Sequence, residues 1–370
     1  MYNNDRTNPL GSGRSNQCIR NNNRDHRKKG GNGGNGGNNN PNGNNAEENP
    51  YAKYYRKGNL GLLYTRLYYS GIDEKVYNEQ KISINIPNKT KPEKTDYQTL
   101  YYASRNKNII LQAKNAVLPQ EGLIPKSDQL PMTTTYPGLL TGIGIPHGTG
   151  HKNEAKLGLA FDHTIGLPYI PGSSVKGLLR SAFPLQDEAL AAKCDKKADD
   201  LDKKDEHDKA TELRLQANAL RLQADKKREL IASLAGDSLP VGCVDDLEKS
   251  VFDGTEIDKK TGKQYSVPVR DIFFDAFPAA MEQNGLLGLD FITPHNDNEF
   301  KEPKPLQFMR IEPGVTFNFE FRLRDSLKCG NILFDATKKK ELFRSILALI
   351  GIGAKTNVGY GQLKDSPDKK

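Results

Sequence analysis

Regularly spaced hydrophobic positions are missing from residues 1–50 and appear in blocks after them. The first segment is an Asn/Gly-rich stretch with scattered cations (Arg6, Arg14, Arg20, Arg24, Arg27, Lys28 and Lys29). Such a composition cannot bury enough apolar surface to offset its conformational entropy, so 1–50 is expected to be disordered. It reads either as an RNA-adhering tail or as a solvated extension. Leu60, Leu63, Tyr64, Leu67 and Tyr68 then follow i, i+3, i+4 spacing, which predicts an amphipathic helix. Its tyrosines, interleaved with Lys53, Arg56, Lys57 and Arg66, suit base stacking or packing onto a core. Residues 74–135 are polar and poorly patterned, with weak helix signals over 96–113.

Further on the pattern sharpens. Leu157, Leu159 and Phe161 alternate, predicting a strand over 156–163 and a turn at 166–168. Val175, Leu178, Leu179 and Ala182 form the stripe of a short helix ended by Pro184, with Ser173 or Ser174 as its N-cap. Residues 185–236 have no Pro and no Gly before Gly236. Leu213, Ala217, Leu220, Ala224, Lys227, Ile231 and Leu234 step through them in fours and threes, a seam interrupted once by lysine. This predicts a helical hairpin, either a partner-binding arm or a length-variable insertion. Strands are expected at 267–274, 286–292 and 306–311, with DAFP (275–278) and TPHNDNEF (293–300) as turns. The cleanest alternation is Val315, Phe317, Phe319, Phe321 and Leu323 against Thr316, Asn318, Glu320 and Arg322. A helix over 338–350 leads into GIGAKTNVGYG (351–361) and a short strand, GQL.

The succession strand, helix, strands, helix, strand predicts an α+β fold, with an open antiparallel sheet and helices on one face. This is the ferredoxin-like (RRM-like) arrangement, though the sheet-borne aromatics of an ordinary RRM are not evident. The expected organisation is a tail at 1–50, an N-terminal extension at 51–136, a core at 137–184 and 237–370, and the helical insertion at 185–236. Apolar residues make up 35% of the 370-residue chain and mean hydropathy is −0.71, the deficit falling in the tail and the insertion. A net charge of +8 suits nucleic acid or another polyanion. Cys18, Cys194, Cys243 and Cys329 form no C-x-x-C pair, which argues against a disulfide framework or structural zinc and fits a reducing cytoplasm. No signal-peptide or membrane-spanning run is present in the sequence.

The candidate chemistry centres on 351–361. Glycines at 351, 353, 359 and 361 allow positive φ and, lacking Cβ atoms, would let another molecule approach. Successive N–H groups in such loops form anion-holding nests, here with Lys355, Thr356 and Asn357 at the centre. A nucleotide P-loop does not fit: Ala354 precedes Lys355, Leu349 stands where the first glycine belongs, and the order is helix then strand. Lys176 and Arg180, i and i+4 on the short helix, make a second anion-binding surface with Ser173, Ser174 and the helix N-terminal amides. A metal-independent ribonuclease would need an acid–base pair, for which His147, His151, His163, Tyr169 and Lys176 are candidates. His147 and His151 sit in a Gly-rich loop with no third ligand nearby for a metal. Asp162, Asp271, Asp275 and Asp290 fit turn chemistry better than a carboxylate-metal nuclease.

Taken together, IGLPYIPGSSVKGLLRS (165–181), DIFFDAFP (271–278), the TPH turn and GIGAKTNVGYG resemble the RAMP superfamily of CRISPR-associated RNA-binding proteins. Within it they are similar to a subunit of the type III-B (Cmr) effector complex, over roughly 137–183 and 265–363. The resemblance implies a ferredoxin-like RAMP core in a cytoplasmic ribonucleoprotein for antiviral defence, capping the backbone towards the 3′ end of the guide RNA. It implies guide RNA (crRNA), target RNA and other RAMP subunits as partners, and no catalytic residue, metal, cofactor, membrane or direct DNA contact. Carried over to this sequence, the RNA contacts are Ser173, Ser174, Lys176, Arg180, Gly351, Gly353, Lys355, Thr356, Asn357 and Tyr360. The Asn/Gly-rich tail and the 185–236 block do not follow from the family pattern. A chain held in such an assembly by protein contacts alone is the remaining alternative.

Overall fold

The computed structural model describes residues 59–366 apart from 73, 79–80, 85–92, 120–121, 123, 143–150, 152, 157–158, 237–238, 259–260, 294–304 and 330–331. The tail, the start of the basic–aromatic stretch, His147 and most of the TPHNDNEF turn lie outside these residues. The described residues all fall within one compact unit, Ala46–Lys370.

Its centre is the strand Thr316–Arg322, flanked on both sides in an antiparallel five-stranded sheet. On one side lies Gln129–Thr134, with Leu363–Asp365 beyond it at the edge; on the other lie Ile272–Phe273 and Phe277–Ala280. Register sets Phe319 opposite Leu130 and Phe317 opposite Met132. On the far side Phe321 faces Phe273. Because side chains alternate along a strand, Phe317, Phe319 and Phe321 all point to one face, where each is buried. The helices Gly172–Ser181 and Ala336–Ile350 cover that face. Asp335 caps the second of them by accepting from Lys338 N at 2.9 Å, and the Phe343 ring sits 5.4 Å from Phe321 and 5.7 Å from Phe273. The fold is therefore α+β, as expected, with the antiparallel sheet in place.

Several elements differ from the sequence reading. The strand beside the central one is Gln129–Thr134, upstream of the 137 boundary and inside the stretch that carried no clear pattern. Its inward Leu130 and Met132 are buried while Pro131 is exposed, so the apolar signal is two residues long. The strand expected at 156–163 is reduced to an isolated bridge between Phe161 and Pro168. Leu159 and Phe161 are buried there without a ladder. DAFP does not end a strand; its Phe277 and Pro278 begin one, on the sheet edge where a proline costs no ladder bond.

Leu287–Ile292 pairs with Leu306–Ile311 as a separate antiparallel hairpin, joined to the segment after Gln129–Thr134 through a Leu139–Ile311 bridge. The helix Tyr97–Lys114, capped by Asp96, lies against this hairpin. Among the described residues of the N-terminal stretch, Tyr64 and Tyr68 serve packing. Tyr64 and Tyr68 are buried beside Tyr101 and Tyr102, and the Tyr68 hydroxyl donates to Asn106 Oδ1 and accepts from Ala155 N, both at 2.8 Å.

Over 185–236 the helices Leu185–Asp202 and His207–Ala235 form an antiparallel arm. Its seam runs through Ala210, Ala217, Ala224 and Ile231 against Ala191 and Ala198. Lys227, the lysine in the expected seam, is answered by Asp187 at 2.7 Å. Among the described residues Cys194 is a free thiol, whereas Cys243 is disulfide-bonded, which departs from the expectation of unpaired cysteines.

One buried ion pair ties the C-terminal helix to the sheet edge. Lys339 Nζ lies 2.6 Å from Asp271 Oδ2, both side chains being 0% exposed, and also donates to Arg324 O at 2.9 Å. Burial pulls the Lys339 ammonium below its usual range, and Asp271 works against that. Removing one partner strands a charge in the core, so Asp271→Ala should cost ~3–5 kcal/mol in denaturant unfolding. Asp271→Leu combined with Lys339→Met should recover most of that loss. A single variant as stable as the parent would show that the pair is not held as described.

Candidate nucleic-acid interface

The loop 351–361 is built on backbone contacts. Ile352 N donates to Gly361 O at 2.8 Å and closes its base. Gly361 N then reaches Gly138 O at 2.7 Å, and Ala354 N reaches Leu140 O at 2.8 Å. A Cβ on Gly361 would stand 1.9 Å from Ile352 O, and one on Gly353 would stand 2.2 Å from Leu140 O. These glycines thus admit the chain's own backbone, where the sequence suggested room for another molecule. The partner segment 138–140 carries little signal in the sequence beyond a Gly-Leu-Leu run next to a turn.

Above this base Lys355 adopts a left-handed conformation (φ 60°) and opens the short turn Thr356–Val358. Among the described residues the N–H groups of Gly353, Lys355, Thr356 and Asn357 meet no acceptor within the molecule. Gly353 and Asn357 are exposed, and Lys355 and Thr356 half-exposed. The turn therefore leaves four backbone donors and one cation uncommitted, groups of the kind that suit an anionic oxygen. Gly351 is buried and belongs to the base. Tyr360 is also turned inward. Its hydroxyl donates to Asp290 Oδ2 at 2.7 Å, and its ring lies 5.9 Å from Phe308. Burial and the Asp290 hydrogen bond push its phenol up to about 12. Tyr360 supports the loop from beneath and is absent from its exposed face.

The N-terminus of Gly172–Ser181 is only partly free. Neither serine caps it: the N-cap position is Pro171, without a side-chain bond, and Gly172 N donates to Asp275 Oδ1 at 2.7 Å. A carboxylate therefore already meets the positive end of the helix. Ser173 is exposed and Ser174 half-exposed. Lys176, half-exposed, lies 5.9 Å from the Phe273 ring centroid and has no carboxylate partner among the described residues. Arg180 is committed elsewhere, 2.9 Å from Asp253 and 3.6 Å from Glu248. Glu248 in turn accepts Leu185 N at 2.9 Å, at the start of the arm, and burial pushes its carboxyl up to about 7.

Several of the described residues considered for cleavage chemistry have other contacts. His151 Nδ1 lies 2.8 Å from the Tyr102 hydroxyl. Tyr169 stacks on Phe277, ring centroids 5.8 Å apart. Asp162 accepts the turn amides of Thr164 and Ile165 at 2.8 and 2.9 Å. Asp271 pairs with Lys339, Asp275 meets the helix, and Asp290 holds Arg310 and Tyr360. Among the described residues no group of three His, Cys, Asp or Glu side chains is placed to hold a metal ion, and no helix is long and apolar enough to cross a membrane.

A family model described as the RAMP superfamily matches residues 132–364, which takes in the glycine loop, the helix Gly172–Ser181 and the sheet apart from the first residues of Gln129–Thr134 and Asp365. The chain belongs to the RAMP superfamily. A curated relative of this RAMP protein is the CRISPR system Cmr subunit Cmr6 of Pyrococcus furiosus, 25% identical over 239 residues. That match covers 58% of this chain and 63% of the relative, so the chain spans somewhat under two thirds of the relative's length. Two solved structures are similar at 18% identity. One is a cryo-EM structure of the type III-B Cmr-beta bound to cognate target RNA (TM-score 0.37, 83% of this chain and 84% of that one). The other is the crystal structure of Cmr6 from Pyrococcus furiosus (TM-score 0.33, 64% and 97%). Superpositions this loose leave the assignment to the family match and the sequence relative.

Gly361→Ala should lower stability by more than ~1 kcal/mol, because its φ is positive and a backbone oxygen occupies the space. Gly177→Ala, in the helix with nothing within 4 Å of the added carbon, should raise stability by ~1 kcal/mol. Equal effects in thermal melts would contradict the close approach. Glu248 gives a pH signature: an unfolded carboxyl ionises near 4.5, the folded one near about 7. The stabilisation is full below the lower value and is lost as pH rises through the upper one. Urea midpoints of the parent should fall across that window relative to Glu248→Gln, and parallel profiles would refute the assignment.

Proposed function

We propose that this RAMP protein is a non-catalytic, RNA-binding subunit of a cytoplasmic type III-B CRISPR effector. Its ferredoxin-like core would cap the effector backbone towards the 3′ end of the guide RNA. The observation that carries the reading is the exposed face of the glycine loop. The unpaired amides of Gly353, Lys355, Thr356 and Asn357 and the Lys355 side chain lie on the same turn, over a base closed by backbone hydrogen bonds. That face suits the phosphate backbone, which is recognised without regard to sequence. Lys176 and Ser173 offer a second phosphate contact, and Arg180 contributes by fixing the helix through Asp253 and Glu248.

The strand order supports the ferredoxin-like assignment. In chain order the core runs strand, helix, strand, strand, helix, strand, and across the sheet the strands stand fourth, first, third, second. The Pyrococcus relative carries the name of a Cmr subunit, which supports guide RNA, target RNA and other RAMP subunits as partners. The contacts already made by the four aspartates favour a binding role over cleavage.

Lys355→Ala and Lys176→Ala should each weaken binding of single-stranded RNA regardless of its sequence. Each should also lower the slope of log K against log salt by about 0.7 for every phosphate that is no longer neutralised. The readout is fluorescence anisotropy of labelled RNA over a salt series. Slopes unchanged in both variants, or RNA cut by the pure chain in EDTA, would overturn the reading.

A further inference from the structure

Tyr136 differs from the tyrosines of the core. Tyr64, Tyr68, Tyr101 and Tyr102 are 0% exposed, whereas Tyr136 is 82% exposed. Yet the turn that carries it is tightly held. Thr135 donates to Gln362 O through both N (3.0 Å) and Oγ1 (3.2 Å), and Gly138 N returns to Thr135 O at 2.7 Å. Gly138 O is the acceptor for Gly361 N, and the Pro137 ring abuts Gly359, whose Cβ would lie 3.4 Å from Pro137 Cδ. Tyr136 is thus one residue from a ring packed on the glycine loop. Val358, 61% exposed, adds apolar surface on the loop itself. No side-chain hydrogen bond holds the Tyr136 hydroxyl among the described residues.

Leaving a large ring in water on a rigid turn does nothing for folding, since its apolar area stays hydrated. Beside an amide nest it supplies what a nest lacks. A nucleotide brings a charged phosphate and a flat base together, and an aromatic face stacks on any base. Because the turn is already ordered, little conformational freedom is lost on contact. We infer that Tyr136 is a base-stacking residue of the glycine-loop interface, so the RNA held there is single-stranded with at least one base turned towards the protein. This rests on the proposed RNA-binding role and deepens it: the loop takes the phosphate and Tyr136 the adjoining base.

The sequence contains no tryptophan, so Tyr136→Trp places a single indole at the site. Titrating the full chain carrying it with a labelled poly(A) oligonucleotide at low salt should quench the indole saturably, in step with the anisotropy of the RNA. An oligonucleotide of abasic residues should bind without quenching. Tyr136→Ala should weaken poly(A) binding about 5- to 150-fold, the range for base–aromatic stacking, with the salt slope unchanged, while Tyr136→Phe retains affinity. Unquenched emission with RNA bound, or full affinity in Tyr136→Ala, overturns the proposal. Full affinity together with lost capture of other RAMP subunits would make Tyr136 a protein contact, which also overturns it. Quenching alongside an unchanged salt slope in Lys355→Ala would instead sink the phosphate role of the loop.

Discussion

The packing of Phe317, Phe319 and Phe321 against the two covering helices is the constraint on which the molecule depends. Three aromatic rings on one face of a central strand fix its register, since a slip of one residue would turn them all to the polar side. That register sets Gln129–Thr134 beside it, with Leu363–Asp365 paired on the outer side of Gln129–Thr134, and so brings the segment after the first strand alongside the loop before the last. The sheet therefore positions the glycine loop, although no sheet residue lies in it.

The loop and the short helix commit their positive groups differently. In the loop, backbone atoms are consumed at the base and spared at the tip, so the positive field at Lys355 is available. At the helix, Asp275 and the acceptors of Arg180 consume most of the positive charge internally, leaving Lys176. The sequence showed cations and glycines in both places. It could not show how much of their charge and space the protein itself uses.

Legibility followed the range of the interactions. Leu306–Ile311, Thr316–Arg322 and Ala336–Ile350 were readable because their apolar periodicity is local and unbroken. Gln129–Thr134 was not, since a proline and two threonines around two apolar residues make a strand only beside a strong partner. The serine caps failed for a similar reason: Asp275, which reaches Gly172 N, lies 103 residues away in the chain. Arg180 finds its acceptors at comparable remove. Tyr360 looked like an exposed loop aromatic, yet Asp290 and Phe308 on the neighbouring hairpin draw it inward. The glycine loop was legible as a helix-to-strand turn, whereas its close fit to Leu140 was not.

The arm has a geometry with its own arithmetic. Its buried positions, Ala210, Ala217, Ala224 and Ile231 on one helix and Ala191 and Ala198 on the other, recur every seven residues. Small side chains at that interval let the helices approach closely and repeat the same contact turn after turn. Length can then change only in whole heptads taken from both helices together, because any other step would rotate the seam out of register. The arm is in that sense a ruler with seven-residue graduations, its zero held where Arg228 grips Asp245 at 2.9 Å.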